Sequence, residues 1–162
     1  MRVLTMTAAA LLASASTALA APASVSVTIG PELQAMAEEV YGTRDVQWVA
    51  DDLRTSVERA LARTGAHQDA RVELVLTDAR PNQPTFKQYG DTLGLSMRSF
   101  GTGGAAFEGR IIAADGSETP IAYKWYESDI RQAQYLATWS DAGTAVDRLA
   151  RRISRGQQLT QR

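Results

Sequence analysis

The chain has 162 residues, 44% of them hydrophobic and 22% charged, so it can bury one core and is neither a disordered tail nor a membrane bundle. Lysine and arginine number 17 against 18 aspartates and glutamates, and the formal charge of −1 leaves no overall attraction for nucleic acid or anionic lipid. With no cysteine and one histidine, thiol catalysis, disulfide frameworks and the usual zinc sites are excluded or nearly so.

Met1-Arg2-Val3-Leu4 sets a positive charge ahead of an apolar run over 8–13, and Ala18-Leu19-Ala20 offers the small residues a signal peptidase needs. This layout predicts a signal peptide over 1–20, cleaved after Ala20, and a periplasmic or secreted protein. The run is too short to span a bilayer, and lipid attachment would need a cysteine at the cut. Neither a transmembrane segment nor a lipid anchor is therefore expected. A single α+β domain is expected over 21–156, then a flexible polar tail over 157–162.

Ser24 to Ile29 alternates hydroxyl and aliphatic residues, which predicts a half-buried strand with Val25, Val27 and Ile29 facing inward. Pro31 suits a first helical position, and Leu33, Met36, Ala37 and Val40 recur at helical spacing up to Gly42. A second helix, capped by Asp45 and closed by Gly65, carries the stripe Val49, Leu53, Val57, Ala60 and Leu61. Arg71 to Arg80 reads as a central strand, apolar on both faces at its middle. Two more strands, 105–114 and 119–128, are joined by the hairpin signal Asp115-Gly116. A last helix, capped by Thr138 or Ser140, buries Ala142, Ala145, Val146, Leu149 and Ile153. The order β-α-α-β-β-β-α fits an α+β fold: a small mixed or antiparallel sheet of about four strands with two to three helices on one face.

Most chemistry-bearing groups have a plain structural explanation. His67 lies in a polar turn with no serine elbow near it and no second histidine at metal spacing. Glu38-Glu39 and Asp51-Asp52 are neighbours that diverge by about 100° on a helix and do not converge on one atom. Asp78, Glu108 and Glu127 are the acids that separate strands would have to bring together for glycoside hydrolysis, and nothing in the sequence favours that assembly. Gly101-Thr102-Gly103-Gly104 precedes a strand and lacks the lysine of a phosphate loop. Arg148, Arg151, Arg152 and Arg155 crowd the end of the last helix, where they complement its dipole or form a basic patch for an anionic partner. No catalytic residue, cofactor or metal site is expected.

The stretch from Asp78 to Phe86 is the most distinctive. Alternation puts Asp78 and Arg80 on the face of Leu74 and Leu76, so an apolar face ends in an acid and a base that can pair or anchor the next loop. Pro81 and Pro84 stiffen the exit. The long loop from Pro81 to Gly104 then carries Phe86, Tyr89, Leu93, Leu95, Met97 and Phe100, too much apolar surface for an idle connection.

Asp78-Ala79-Arg80-Pro81-Asn82 with Pro84, then Gly103-Gly104-Ala105-Ala106-Phe107-Glu108-Gly109, then Thr138-Trp139-Ser140-Asp141-Ala142 with Val146-Asp147-Arg148-Leu149-Ala150, resembles bacterial envelope proteins of unknown function. Many of that group are small exported lipoproteins; this chain lacks their lipid-accepting cysteine. The similarity runs from about Arg71 to Ile153. More distantly, the element order is similar to small α+β domains of the TolB amino-terminal region and of outer-membrane activators of cell-wall synthases. The resemblance implies action through protein contacts, with an envelope protein as partner, and supplies no catalytic residues.

These readings lead to a non-catalytic binding or accessory module of the cell envelope. Its expected contact surface is the 81–104 loop, through Phe86, Tyr89, Met97 and Phe100, together with exposed aromatic residues such as Tyr126, Tyr135 and Trp139, the last with a structural alternative. Asp78, Arg80, Pro81, Asn82, Trp139 and Asp141 are expected to form a structural motif, with Trp139 as an aromatic staple before its helix. The competing class is a small-ligand carrier or enzyme, in which the same loop closes over a pocket lined by Tyr123, Trp125 and Asp78. A homo-oligomer stays open, because the sequence does not locate exposed strand edges.

Overall fold

A computed structural model describes residues 23–96 and 98–160. The expected signal peptide over 1–20, Met97 and the side chain of Tyr135 lie outside the described residues. The alternation of Ser24–Ile29 (β1) and Arg71–Arg80 (β2) produces two parallel neighbours, and the hairpin of Gly104–Ile112 (β3) and Glu118–Tyr126 (β4) continues the sheet antiparallel. The strand order β1-β2-β3-β4 gives a four-stranded mixed sheet. With its helices it is the expected α+β fold.

Pro31–Met36 (α1) opens into a π-helical turn over Ala37–Tyr41, followed by Thr43–Thr64 (α2), Phe86–Asp91 (α3) and Ser140–Ser154 (α4). The wider π turn shifts the helical phase, so Tyr41 packs on the core; Met36, just before that turn, is exposed, against the inward placement its spacing suggests. α2 begins two residues before Asp45, the expected cap, and the Asp45 carboxylate instead accepts from the Trp139 indole N–H at 3.4 Å. Gly65 ends α2 in the left-handed region, as expected.

α2 and α4 pack on each other and on one face of the sheet. Val72, Leu74 and Leu76 of β2, Phe107 and Ile111 of β3, and Ile121 and Tyr123 of β4 meet the apolar stripes of both helices. Burying a side chain such as Phe107, Leu74 or Leu149 contributes about 2–3 kcal/mol each. The opposite face is polar, with Arg110 bridging Glu73 at 2.9 Å and Glu118 at 3.3 Å. Among the described residues no helix is long and apolar enough to cross a membrane.

Three expectations change. The register of β2 on β3 slips between Leu76 and Asp78, so Thr77 is an extra residue, and Ala79 enters the core in place of its neighbours. Asp78 and Arg80 therefore lie on the face opposite Leu74 and Leu76. The 81–104 segment holds a short helix, α3, that the sequence reading lacked. Of the expected 157–162 tail, 161–162 lie outside the described residues, and 157–160 do not trail away: Leu159 is buried, and its carbonyl accepts from the Ala122 N–H at 2.9 Å. Leu159 is the one aliphatic side chain in a polar segment, and the outer edge of β4 offers it both a donor and a core to cover.

Candidate functional site

β1 and β2 end, β3 begins and β4 ends on one rim of the sheet. α2 and α4 also start there, since Asp45 meets Trp139 and Asp141 meets Asn82. The 81–104 loop crosses this rim, and its two ends are clamped. The Asn82 side-chain amide donates to the Asp141 carboxylate at 2.5 Å and to the Gly101 carbonyl at 3.2 Å, while its carbonyl accepts from the Asp141 backbone N–H at 2.8 Å. Its backbone N–H donates to the Thr138 carbonyl at 2.6 Å, and its backbone carbonyl accepts from Gly101 at 2.7 Å.

Neither expected residue, Thr138 nor Ser140, caps α4. Trp139 occupies the cap position with no side-chain hydrogen bond, and Asn82 supplies the missing acceptor from a distant segment. Asp141 completes the clamp by accepting from the Gly103 N–H at 2.9 Å. Gly103 and Gly104 are required by close packing. A Cβ on Gly103 would meet the Arg80 carbonyl at 2.6 Å, and one on Gly104 would meet the Trp125 carbonyl at 2.3 Å.

Between these anchors, Thr85 and Gln88 form a reciprocal capping box that starts α3. This leaves Phe86, at the first helical position, 88% exposed, and Leu93 is fully exposed beyond the helix. Phe100 projects partly into solvent near Pro81, Pro84 and Leu95. Tyr89 donates its hydroxyl to the Ser96 carbonyl at 3.2 Å and so helps hold the loop's own shape. Outside the loop, Trp48 on the second turn of α2 and Ile130 after β4 are also exposed on the rim. A cavity of about 390 Å³ opens beside Trp48, lined also by Asp45, Thr138, Trp139 and Gly143. Trp48 is legible in the sequence as a tryptophan one position off the stripe of α2; Ile130 carries no comparable signal.

The structure sorts the expected residues into three groups. Phe86 and Phe100 are available for contact. Asn82, Trp139 and Asp141 belong to the framework, Trp139 packing edge-on against Tyr41 with centroids 6.0 Å apart. Tyr126 is occupied inside the protein: its hydroxyl donates to Asp78 at 2.6 Å, and Arg80, paired to Asp78 at 3.0 Å, lies 4.7 Å over its ring. Burial, then the hydrogen bond to Asp78 and that carboxylate's charge, holds the Tyr126 phenol well above its ordinary range, partly offset by Arg80. It remains a neutral donor.

Tyr123, Trp125 and Asp78 do not line one pocket. Tyr123 and Trp125 face α4, under Arg152 at 5.1 Å and Arg148 at 4.4 Å, while the bulge turns Asp78 to the other face. His67 ties its turn to the last turn of α4, with Nε2 3.1 Å from the Ile153 carbonyl. No protein-family model matches the chain, and no curated protein matches it either.

Proposed function

We propose that this chain is an exported, non-catalytic binding module of the bacterial cell envelope, and that it grips another envelope protein through the rim bearing Phe86, Leu93 and Trp48. The observation that carries this reading is apolar surface displayed on a fastened loop. The backbone is pinned at Asn82, Gly101 and Gly103, yet Phe86 and Leu93 point to solvent instead of folding back on the core. Fixed, solvent-facing aromatic and aliphatic anchors are what protein interfaces bury at their centres. Export rests on the signal-peptide layout at the amino terminus. The motifs that resemble envelope proteins coincide with the framework, since Asn82, Gly103, Gly104 and Asp141 are the residues that shape the rim.

In-cell crosslinking of the tagged protein, followed by mass spectrometry, tests the reading. One dominant envelope protein is expected with the natural sequence and is lost when Phe86→Ser and Leu93→Ser are combined. The melting temperature should stay nearly constant, because both side chains are already in water. Capture that survives the double substitution, or no captured protein, overturns the assignment.

A further inference from the structure

We propose that β1 is a dimerisation edge, along which two copies of this chain pair antiparallel about Val27 and join their sheets into one. The backbone phase is the first support. Ser24 N–H donates to the Ala70 carbonyl at 3.1 Å and Gly30 N–H to the Leu76 carbonyl at 2.9 Å, so the even-numbered residues between them turn toward β2. Val25, Val27 and Ile29 then point their N–H and C=O groups outward. Among the described residues nothing pairs with them.

The two edges of the sheet are guarded differently. β4 carries Glu118, Pro120 and Lys124, and Leu159–Thr160 lies along its outer side. β1 reads Ser-Val-Ser-Val-Thr-Ile, with no charge, proline or bulge to deter another strand. Its inward side chains also remain half-exposed, whereas Val72, Leu74 and Leu76 beside them on β2 are buried.

One register satisfies backbone and side chains together. With Val27 opposite Val27 and Val25 opposite Ile29, every outward N–H and C=O finds a partner. The half-exposed aliphatic groups then meet on the helix face, and Ser26 meets Thr28 on the open face. A one-residue slip sets hydroxyls against aliphatics and turns the outward groups away from each other. This self-complementarity selects a second copy over a foreign strand.

The helix layer permits the join. Four strands at about 4.8 Å spacing span about 19 Å, close to the width of two helices packed about 9 Å apart, so the layers of two copies meet at normal spacing. The flank of α2 there carries Arg54 between Asp51 and Glu58, 3.7 and 3.6 Å away, a mixed set that can re-pair across a two-fold axis. Antiparallel pairing leaves the Phe86 rim free at opposite ends of the dimer, so this inference and the proposed function fail separately.

Sedimentation of the protein as cells produce it, over a concentration series, is the test. A species of twice the chain's mass is expected. Ser26→Lys with Thr28→Lys places introduced lysines opposite each other across the join, on exposed positions, and should raise the dissociation constant more than about tenfold with an unchanged circular dichroism spectrum. Ser26→Lys with Thr28→Glu sets opposite charges face to face and should restore the dimer. A natural sequence that stays monomeric overturns the proposal, as does a double-lysine variant that dimerises undiminished. A complex with a different protein that the double lysine abolishes overturns it too, by giving the edge to a foreign strand.

Discussion

Asn82 and Asp141 hold each other twice: the Asn82 amide donates to the Asp141 carboxylate at 2.5 Å, and the Asp141 backbone N–H donates to the Asn82 side-chain carbonyl at 2.8 Å. Both are buried, at 1% and 4% exposure, so each would be costly to leave alone. One side chain thus caps α4, fastens the 81–104 loop and orients the carboxylate that receives Gly103. Asn82→Ala should cost about 2–3 kcal/mol in thermal or denaturant unfolding, since it removes the cap and leaves a buried carboxylate half-satisfied. Asn82→Asp should be at least as damaging at neutral pH, because two ionised carboxylates then share the site. That loss should shrink as pH falls and the introduced carboxyl takes up a proton. Equal stability of Asn82→Ala and the natural protein would show that the clamp is dispensable.

What the sequence reveals here is mostly what repeats. β2 is legible from end to end because Val72, Leu74, Val75 and Leu76 mark its apolar centre and Pro81 closes it, and the α2 and α4 stripes identify the faces that bury Leu53, Val57, Val146 and Leu149. The bulge at Thr77 is not legible, since one extra residue leaves no local mark, yet it decides which face Asp78 and Arg80 occupy. The start of α3 is spelled by Thr85 and Gln88 at capping-box spacing, but six residues amid proline and glycine show no periodicity. The Asn82–Asp141 pair lies beyond local reading altogether, because its partners are brought together only by the finished sheet and helix layer.

The glycines divide by the space around them. Gly103→Ala should destabilise by about 2 kcal/mol or more, because its new methyl meets the Arg80 carbonyl, the Asn82 side chain and Asp141, none of which can retreat without breaking the clamp. Gly143→Ala should act the other way. It sits inside α4 with nothing within 4 Å of a Cβ, so the substitution removes helix-interior glycine and should add about 0.5–1 kcal/mol. Chemical denaturation of the pair checks both signs.

Asp52 on α2 carries a local penalty. Partial burial raises its carboxyl above the ordinary range, and the Asp147 charge adds to that, against the Ser56 hydrogen bond and Arg59. The folded protein therefore holds the Asp52 proton more tightly than the unfolded chain does, and stability contributed by this group falls as pH rises past the ordinary carboxylate value. Asp52→Asn should melt higher at neutral pH, by about 0.5 kcal/mol or less after solvent screening, and the gain should vanish near about pH 3. A gain that persists at acid pH would point to packing instead of charge.

The arginines at the end of α4 do two jobs, and substitution should separate them. Arg148 lies 4.4 Å over the Trp125 ring and Arg152 5.1 Å over Tyr123, so this half of the cluster seals the helix against β4. Arg151 and Arg155 face solvent on the same helix end. Arg148→Gln with Arg152→Gln should cost about 1–2 kcal/mol and shift Trp125 fluorescence as the ring gains water. Arg151→Gln with Arg155→Gln should leave stability within about 0.5 kcal/mol. Retention on anionic vesicles at low and moderate salt then assigns the charge itself: if binding occurs and falls with the second pair alone, the exposed half is a basic patch, and if neither pair changes retention, the cluster serves the fold and the helix dipole.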